Sequence, residues 1–258
     1  MRIIANADDF GLDADTVRAT TDCLTAGALT SATIMPRMPA TAEAVAFARA
    51  HREFSFGVHL TFVCDTVEAP LAPPDQVRSL LAADGRFLPS QVVRKMALLN
   101  RIPVGEIAAE ITAQIAFLRD SGVAVSHVDS HGHLHKFKPF RAALREVLPR
   151  FGLTKVRGVQ NVYLRKPLKS PTFWFGPIWR RRLAKLFVSP ADFFMPTPAD
   201  ADAWPGHILG AVARDTTLEV GVHPGYAEGW RVLDRKAVLA FAATARGAGH
   251  QFITWNEL

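Results

Sequence analysis

With 258 residues, 49% of them hydrophobic and 21% charged, the chain can bury a sizeable core and lacks the composition of a disordered protein. No apolar run approaches the roughly 18 residues that span a bilayer. The net charge of +6 is concentrated in Arg165–Lys169 and Arg180–Lys185, which leaves anionic glycans, phosphate-bearing carriers, membrane surfaces or plain solvation open; no recognised nucleic-acid-binding module accompanies it, so nucleic acid is not expected as a partner.

In chain order, Ile3–Ala7 reads as a strand, Asp13–Ala26 as a helix closed by Gly27, Thr30–Met35 as a strand and Ala40–Ala50 as a helix. Phe54–Phe62 is strand-like and runs into the proline-rich loop Ala69–Pro74. Val104–Asp120 has the clearest helical period, with Ile107, Ile111, Ile115 and Leu118 on one face and Gly122 just beyond the end. Val123–Asp129 reads as a strand, Pro139–Phe151 as a helix, Lys155–Val159 and Leu218–His223 as strands, Val232–Gly247 as a helix and Phe252–Trp255 as a last strand. This alternation predicts parallel strands with helices outside, as an α/β barrel or an open sheet. The whole chain, 1–258, is expected to form a single domain. It is interrupted by an insertion at about 161–198, where prolines, aromatics and arginines mix without a period and one short helix falls near Trp179–Phe187. The start, MRIIANADDFG, has neither the long apolar stretch nor the small-residue cleavage site of a secretory signal. The expectation is a cytoplasmic protein, at the inner membrane surface if its substrate is lipid-borne; Cys23 and Cys64 fit that compartment.

Polar groups follow several of the apolar runs. Asp8 and Asp9 follow IIANA, His59 ends FSFGVH, HVDSHGHLH follows VAVS, and His223 follows LEVGV. In a barrel of parallel strands the C-terminal ends share one face, where active sites form. His127, Asp129, His131, His133 and His135 stand at every second position. Same-face neighbours on a strand are about 6.6 Å apart, too far for several of them to hold one ion through bonds of about 2 Å. One strand therefore supplies one ligand, or two if it bends at Gly132, and Asp9 and His59 are the natural partners from other strands. Taken singly, Asp8 and Asp9 could cap the helix at Asp13, His59 could be a hydrogen-bonded core residue, and His223 could hold a turn.

NADDFG (Asn6–Gly11), LTSATIMP (Leu29–Pro36), GVHLTF (Gly57–Phe62), HVDSHGHLH (His127–His135) and VGVHPGY (Val220–Tyr226) together resemble the YdjC-like carbohydrate deacetylases, a family that includes chitooligosaccharide and hopanoid-biosynthesis-associated deacetylases. The pieces run in family order over nearly the whole chain. The resemblance implies a distorted, TIM-barrel-like (β/α) barrel and one divalent metal ion, zinc or magnesium, held by Asp9, His59 and His131. It implies Asp8 as general base, His223 as general acid, and hydrolysis of the N-acetyl group of an amino sugar. His133 and His135, with Asp129, Arg157, Tyr226 and Trp174, are candidates for lining the substrate pocket or supporting the ligands. A metal-dependent phosphoesterase and a non-catalytic metal- or sugar-binding barrel remain as alternatives. The aromatic and basic residues of the insertion suit a sugar, peripheral membrane contact through 164–187, or a homodimer contact.

Overall fold

A computed structural model describes residues 1–197, 200 and 203–258. The central strand, β1 (Arg2–Phe10), is buried along all but its first residue, as expected of a parallel strand covered on both faces. The sheet runs β4-β3-β2-β1-β6-β5, with β2 (Ser31–Ile34), β3 (Ser55–Leu60), β4 (Val125–Ser130), β5 (Asp192–Phe194) and β6 (Thr217–Val222), every pair parallel. The short β7 (Gln251–Phe252) pairs with the start of β1 at Arg2 and Ile3, while β2 pairs with its end at Asn6, Ala7 and Phe10. The two therefore share one edge of β1, since β6 occupies the other.

Helices cover this sheet: α1 (Ala14–Thr25), α2 (Thr41–Ala50), α3 (Ser90–Leu98), α4 (Val104–Asp120), α5 (Lys138–Val147), α6 (Pro171–Ala184), α7 (Trp204–Ala211) and α8 (Gly229–Gly247). Asp13 caps α1 itself: its carboxylate accepts from Thr16 N at 2.7 Å, and the Thr16 hydroxyl accepts from Asp13 N at 3.2 Å, an arrangement worth about 1 kcal/mol. That frees Asp8 and Asp9 from capping. In α4, Ile107, Ile111, Ile115 and Leu118 are fully buried. The same helix buries Glu110, which accepts from the amides of Leu71 and Ala72, and Gln114, which braces both the amide and the carbonyl of Thr61. Those bonds fix the long loop that follows His59. No helix among the described residues is long and apolar enough to cross a membrane.

The barrel is distorted between β4 and β5. The expected strand Lys155–Val159 forms no regular ladder. It makes isolated bridges to Val128 of β4 and to Val188, and a few residues on Asn161 N and Val162 N donate to Phe193 O of β5. This irregular passage spans the gap between β4 and β5 and closes the barrel. The insertion is also more ordered than its composition predicts. Its helix runs over Pro171–Ala184 rather than Trp179–Phe187, since a proline at the first helical position costs nothing there, and its chain returns to the sheet as β5. The end expected for it, at Pro198, lies outside the described residues.

Candidate functional site

The ends of β1, β3 and β4 meet. Successive residues of a strand point to opposite faces, so Asp8 and Asp9 can face one site only if the chain turns between them. It turns at Asp9, which has φ 59°, inside a register shift between Ala7 and Phe10 in the pairing of β1 with β2. Aspartate tolerates this left-handed conformation better than most residues, at a cost of about 1–3 kcal/mol. Gly11 also has positive φ, and a Cβ there would lie 3.1 Å from Thr41 Cα, but the switch of faces is made two residues earlier.

The turned Asp9 carboxylate lies between two imidazoles. Its Oδ1 is 3.0 Å from His131 Nδ1 and 3.3 Å from His59 Nε2. One ligand atom from each of Asp9, His59 and His131 falls within 4.8 Å of the others. Its Oδ2 accepts from Arg231 Nη2 at 2.8 Å. The far side of each imidazole is also held. His59 Nδ1 lies 2.7 Å from Asp129 Oδ1, and His131 Nε2 lies 3.1 Å from Asp65 Oδ2. Burial opposes charging of both rings, but Asp129 and Asp9 push His59 up to about 10, and Asp65 and Asp9 push His131 up to about 9. Burial likewise raises Asp9, yet its two imidazole partners hold it well below the usual carboxylate range.

A second knot lies beside the first. Arg157, fully buried, comes from the passage that closes the barrel. It clamps Asp8 with two bonds, Nη1 to Oδ2 at 2.6 Å and Nη2 to Oδ1 at 2.7 Å, and Asn6 Nδ2 adds a third at 2.9 Å. The same Nη1 lies 2.7 Å from Asp129 Oδ2, and Nε donates to Glu219 Oε1 at 2.7 Å. Three carboxylates thus share one guanidinium. Burial tends to raise Asp8, but Arg157 outweighs it and holds the carboxyl well below its ordinary range. Glu219, buried inside β6, is pushed up to about 7 by burial, with repulsion from Asp8 and Asp129 adding to it.

The five alternating residues of the histidine segment separate. His127 is buried beneath the site, stacked 4.1 Å from Trp255, and a Cβ on Gly57 would lie 2.6 Å from its ring. Asp129 ends up behind His59. Gly132 (φ 65°) and His133 (φ 56°) then break the chain direction, so only His131 turns to Asp9. His133 and His135 face a neighbouring cavity of about 350 Å³, which Arg94, Lys136, Tyr163 and Met195 also line. His135 is anchored by Ser130 Oγ at 2.8 Å, and burial pushes its imidazole down to about 3.

Three expected site residues lie elsewhere or are held differently. Tyr226 faces away from the cavity: its hydroxyl donates to Asp22 on α1 at 2.5 Å and its ring packs under Arg18 and Arg235, because Asp15 at the start of α1 captures the Tyr226 amide at 2.8 Å and directs the side chain along the helix. Trp174 is 61% exposed on α6, tied by its indole N–H to Leu168 O at 2.8 Å, and does not line the cavity. His223 stands partly exposed at the end of β6. Its amide donates to Asp234 Oδ2 at 3.0 Å, its Nδ1 is 3.5 Å from the same oxygen, and Trp230 packs on it at 5.4 Å. Asp65, Glu219 and Arg231 join the site from outside every sequence motif. A glutamate amid the apolar run LEVGV was the one available signal, since such a group is costly to bury unpaired.

An α/β barrel of parallel strands, with one carboxylate and two imidazoles converging at the C-terminal ends, defines a class of barrel with a candidate metal centre. Within that class the chain belongs to the YdjC-like family, whose model matches residues 2–251. It is 32% identical over 228 residues to a carbohydrate deacetylase of Halalkalibacterium halodurans, covering 88% of this chain and 86% of that one. It is 30% identical over 226 residues to a carbohydrate deacetylase of Geobacillus stearothermophilus, covering 86% and 79%. A crystal structure from Enterococcus faecalis V583, described as a candidate cellobiose-phosphate cleavage protein, shares the fold with a TM-score of 0.81 over 99% of this chain and 98% of that one, at 19% identity.

Proposed function

We propose that this protein hydrolyses the N-acetyl group of an amino sugar, carried in an oligosaccharide or a lipid-linked glycan, and releases acetate with the help of one divalent metal ion. The observation that carries the reading is the convergence of Asp9, His59 and His131 beside a clamped Asp8. The relatives named carbohydrate deacetylases, matched over most of both chains, support it.

The donor set fits an ion. Bonds of about 2.0–2.1 Å in a tetrahedral site place ligand atoms about 3.3 Å apart, close to the 3.0 and 3.3 Å between Asp9 Oδ1 and the two ring nitrogens. Asp129 holds His59 Nδ1 at 2.7 Å, so Nε2, the nitrogen facing Asp9, is the one that would give up its proton to bind an ion, as the second partner of a metal-binding histidine arranges. Two imidazoles and one carboxylate suit zinc or a related transition ion better than magnesium, which prefers oxygen. Bound there, a divalent ion supplies Lewis-acid polarisation of the acetamide carbonyl and acidifies water.

The remaining roles fall to the chain. Asp8 takes up the proton of the attacking water; Arg157 and Asn6 keep it ionised and aimed. His223, which solvent can reach, gives a proton to the leaving amine, with Asp234 holding its backbone and ring. His133 and His135 line the cavity that takes the sugar, and Arg94, Lys136, Arg165 and Lys166 around it suit a glycan bearing an anionic group.

The test is acetate release from N-acetylglucosamine oligomers, with zinc or magnesium added, run beside bis(p-nitrophenyl) phosphate. Acetate without phosphodiester cleavage is the expected result. Phosphodiester cleavage alone would replace the reading with a phosphoesterase, and neither activity would leave a non-catalytic barrel.

A further inference from the structure

Between Asn161 and Ala191 the chain has seven lysines and arginines and no aspartate or glutamate, more positive charge than the net +6 of the whole protein. Half of that segment is α6. Trp174, Ile178, Arg181 and Lys185 stand at i, i+4, i+7 and i+11, one stripe down the helix and the residue that ends it, with Phe175 and Arg182 beside it. All six face solvent, Trp174 at 61% and Phe175 and Ile178 each at 51% exposure. The opposite side, at Gly176 and Leu183, is the buried one. The helix is therefore inverted relative to an ordinary surface helix: large apolar groups point outward over its first two turns and cations over its last two. Leu168, at 61% exposure, and Leu186 and Val188 extend the apolar strip at either end.

We infer that the outward face of α6, with the segment leading into it, docks on an anionic phospholipid membrane. Aromatic and aliphatic side chains interleaved with arginine and lysine suit the headgroup boundary, where the rings enter the acyl edge and the cations meet phosphate. The charge decides against a second copy of this chain, because pairing two such faces would bring seven cations against seven. The stretch Tyr163–Pro167, immediately before α6, lines the cavity beside His133, so docking sets the mouth of that cavity at the membrane plane. This placement rests on the proposed function and narrows its substrate to a sugar carried on a lipid.

Flotation of the full chain with vesicles of phosphatidylcholine and phosphatidylglycerol, against phosphatidylcholine alone, tests the docking without any substrate. Its outcome is therefore independent of whether the chain deacetylates anything. The protein should float with the anionic vesicles only. Arg181→Ala/Arg182→Ala/Lys185→Ala should weaken partitioning on the order of 100-fold, and Phe175→Ser/Ile178→Ser should abolish flotation with the charges intact. Both variants should keep the wild-type melting temperature, since the altered side chains are exposed. Absence of flotation, equal flotation with neutral vesicles, or a concentration-dependent dimer in sedimentation velocity that these substitutions dissolve would overturn the inference.

Discussion

Replacing Asp8 by asparagine separates the two jobs a carboxylate could have here. Both of its oxygens already accept from Arg157, at 2.6 and 2.7 Å. Whichever way the amide is turned, its NH2 group faces a guanidinium N–H, leaving a buried donor unpaired at a cost of about 1–3 kcal/mol. For a chain of this size that lowers the melting temperature by about 2–4 °C per kcal/mol. Arg157 keeps Asp129 and Glu219 as partners, so the barrel stays folded. Removing a general base costs about 10²–10⁴-fold in turnover, or about 3–5 kcal/mol of barrier. The measurement is acetate release under saturating substrate, with the metal content of the same sample determined by elemental analysis. Near-normal turnover would remove Asp8 from the proton-transfer step. Turnover lost together with the metal would instead make Asp8 a ligand, as the alternative grouping of Asp8, His59 and Asp129 permits.

His131→Ala removes one of the three converging ligand atoms and should yield metal-free protein; full occupancy by elemental analysis would contradict the ligand role. Asp129→Asn should leave the metal in place but weaken its binding about 10–100-fold in a chelator competition, because the His59 tautomer loses its anchor; unchanged affinity would mean that packing alone orients the ring. Stability should fall as pH drops from about 6.5 toward 4.5. Burial pushes His135 down to about 3 and holds His127 and His133 well below their ordinary range, so these rings stay neutral when folded while the unfolded chain binds protons. Each contributes a slope of up to about 1.4 kcal/mol per pH unit, and Glu219, pushed up to about 7, offsets one of them. Urea melts across that window would refute the argument if stability stayed flat or rose.

Periodicity carried most of the fold. The alternation of apolar runs placed β1 to β4, α1, α2, α4 and α8, because parallel strands and one-sided helices bury what their patterns advertise. It failed where burial depends on partners rather than on pattern. β5 is three residues long, α3 and α7 span only nine and eight residues, and Lys155–Val159 is apolar enough to suggest a strand yet closes the barrel without a ladder. The site divided the same way. Strand ends foretold that Asp9, His59 and the histidine segment would meet, since parallel topology leaves them nowhere else to go. Which histidine turns inward depends on Gly132 and His133 in left-handed conformations, and the face shared by Asp8 and Asp9 depends on a left-handed aspartate. Neither conformation has a sequence marker at a non-glycine residue. Asp65 and Arg231 reach the cluster from a loop and a helix start far away in sequence, a matter of tertiary packing alone.

The knot around Arg157 bears on how the chain assembles. Its carboxylate partners come from the first strand, the fourth and the sixth, so no contiguous half of the protein contains them all. A partly folded form that buried Asp8 and Asp129 before the closing passage arrived would hold carboxylates with no counter-ion, a state several kcal/mol uphill. Burial of these carboxylates is thereby coupled to the arrival of Arg157, which ties the first, fourth and sixth strands to one another through a single side chain.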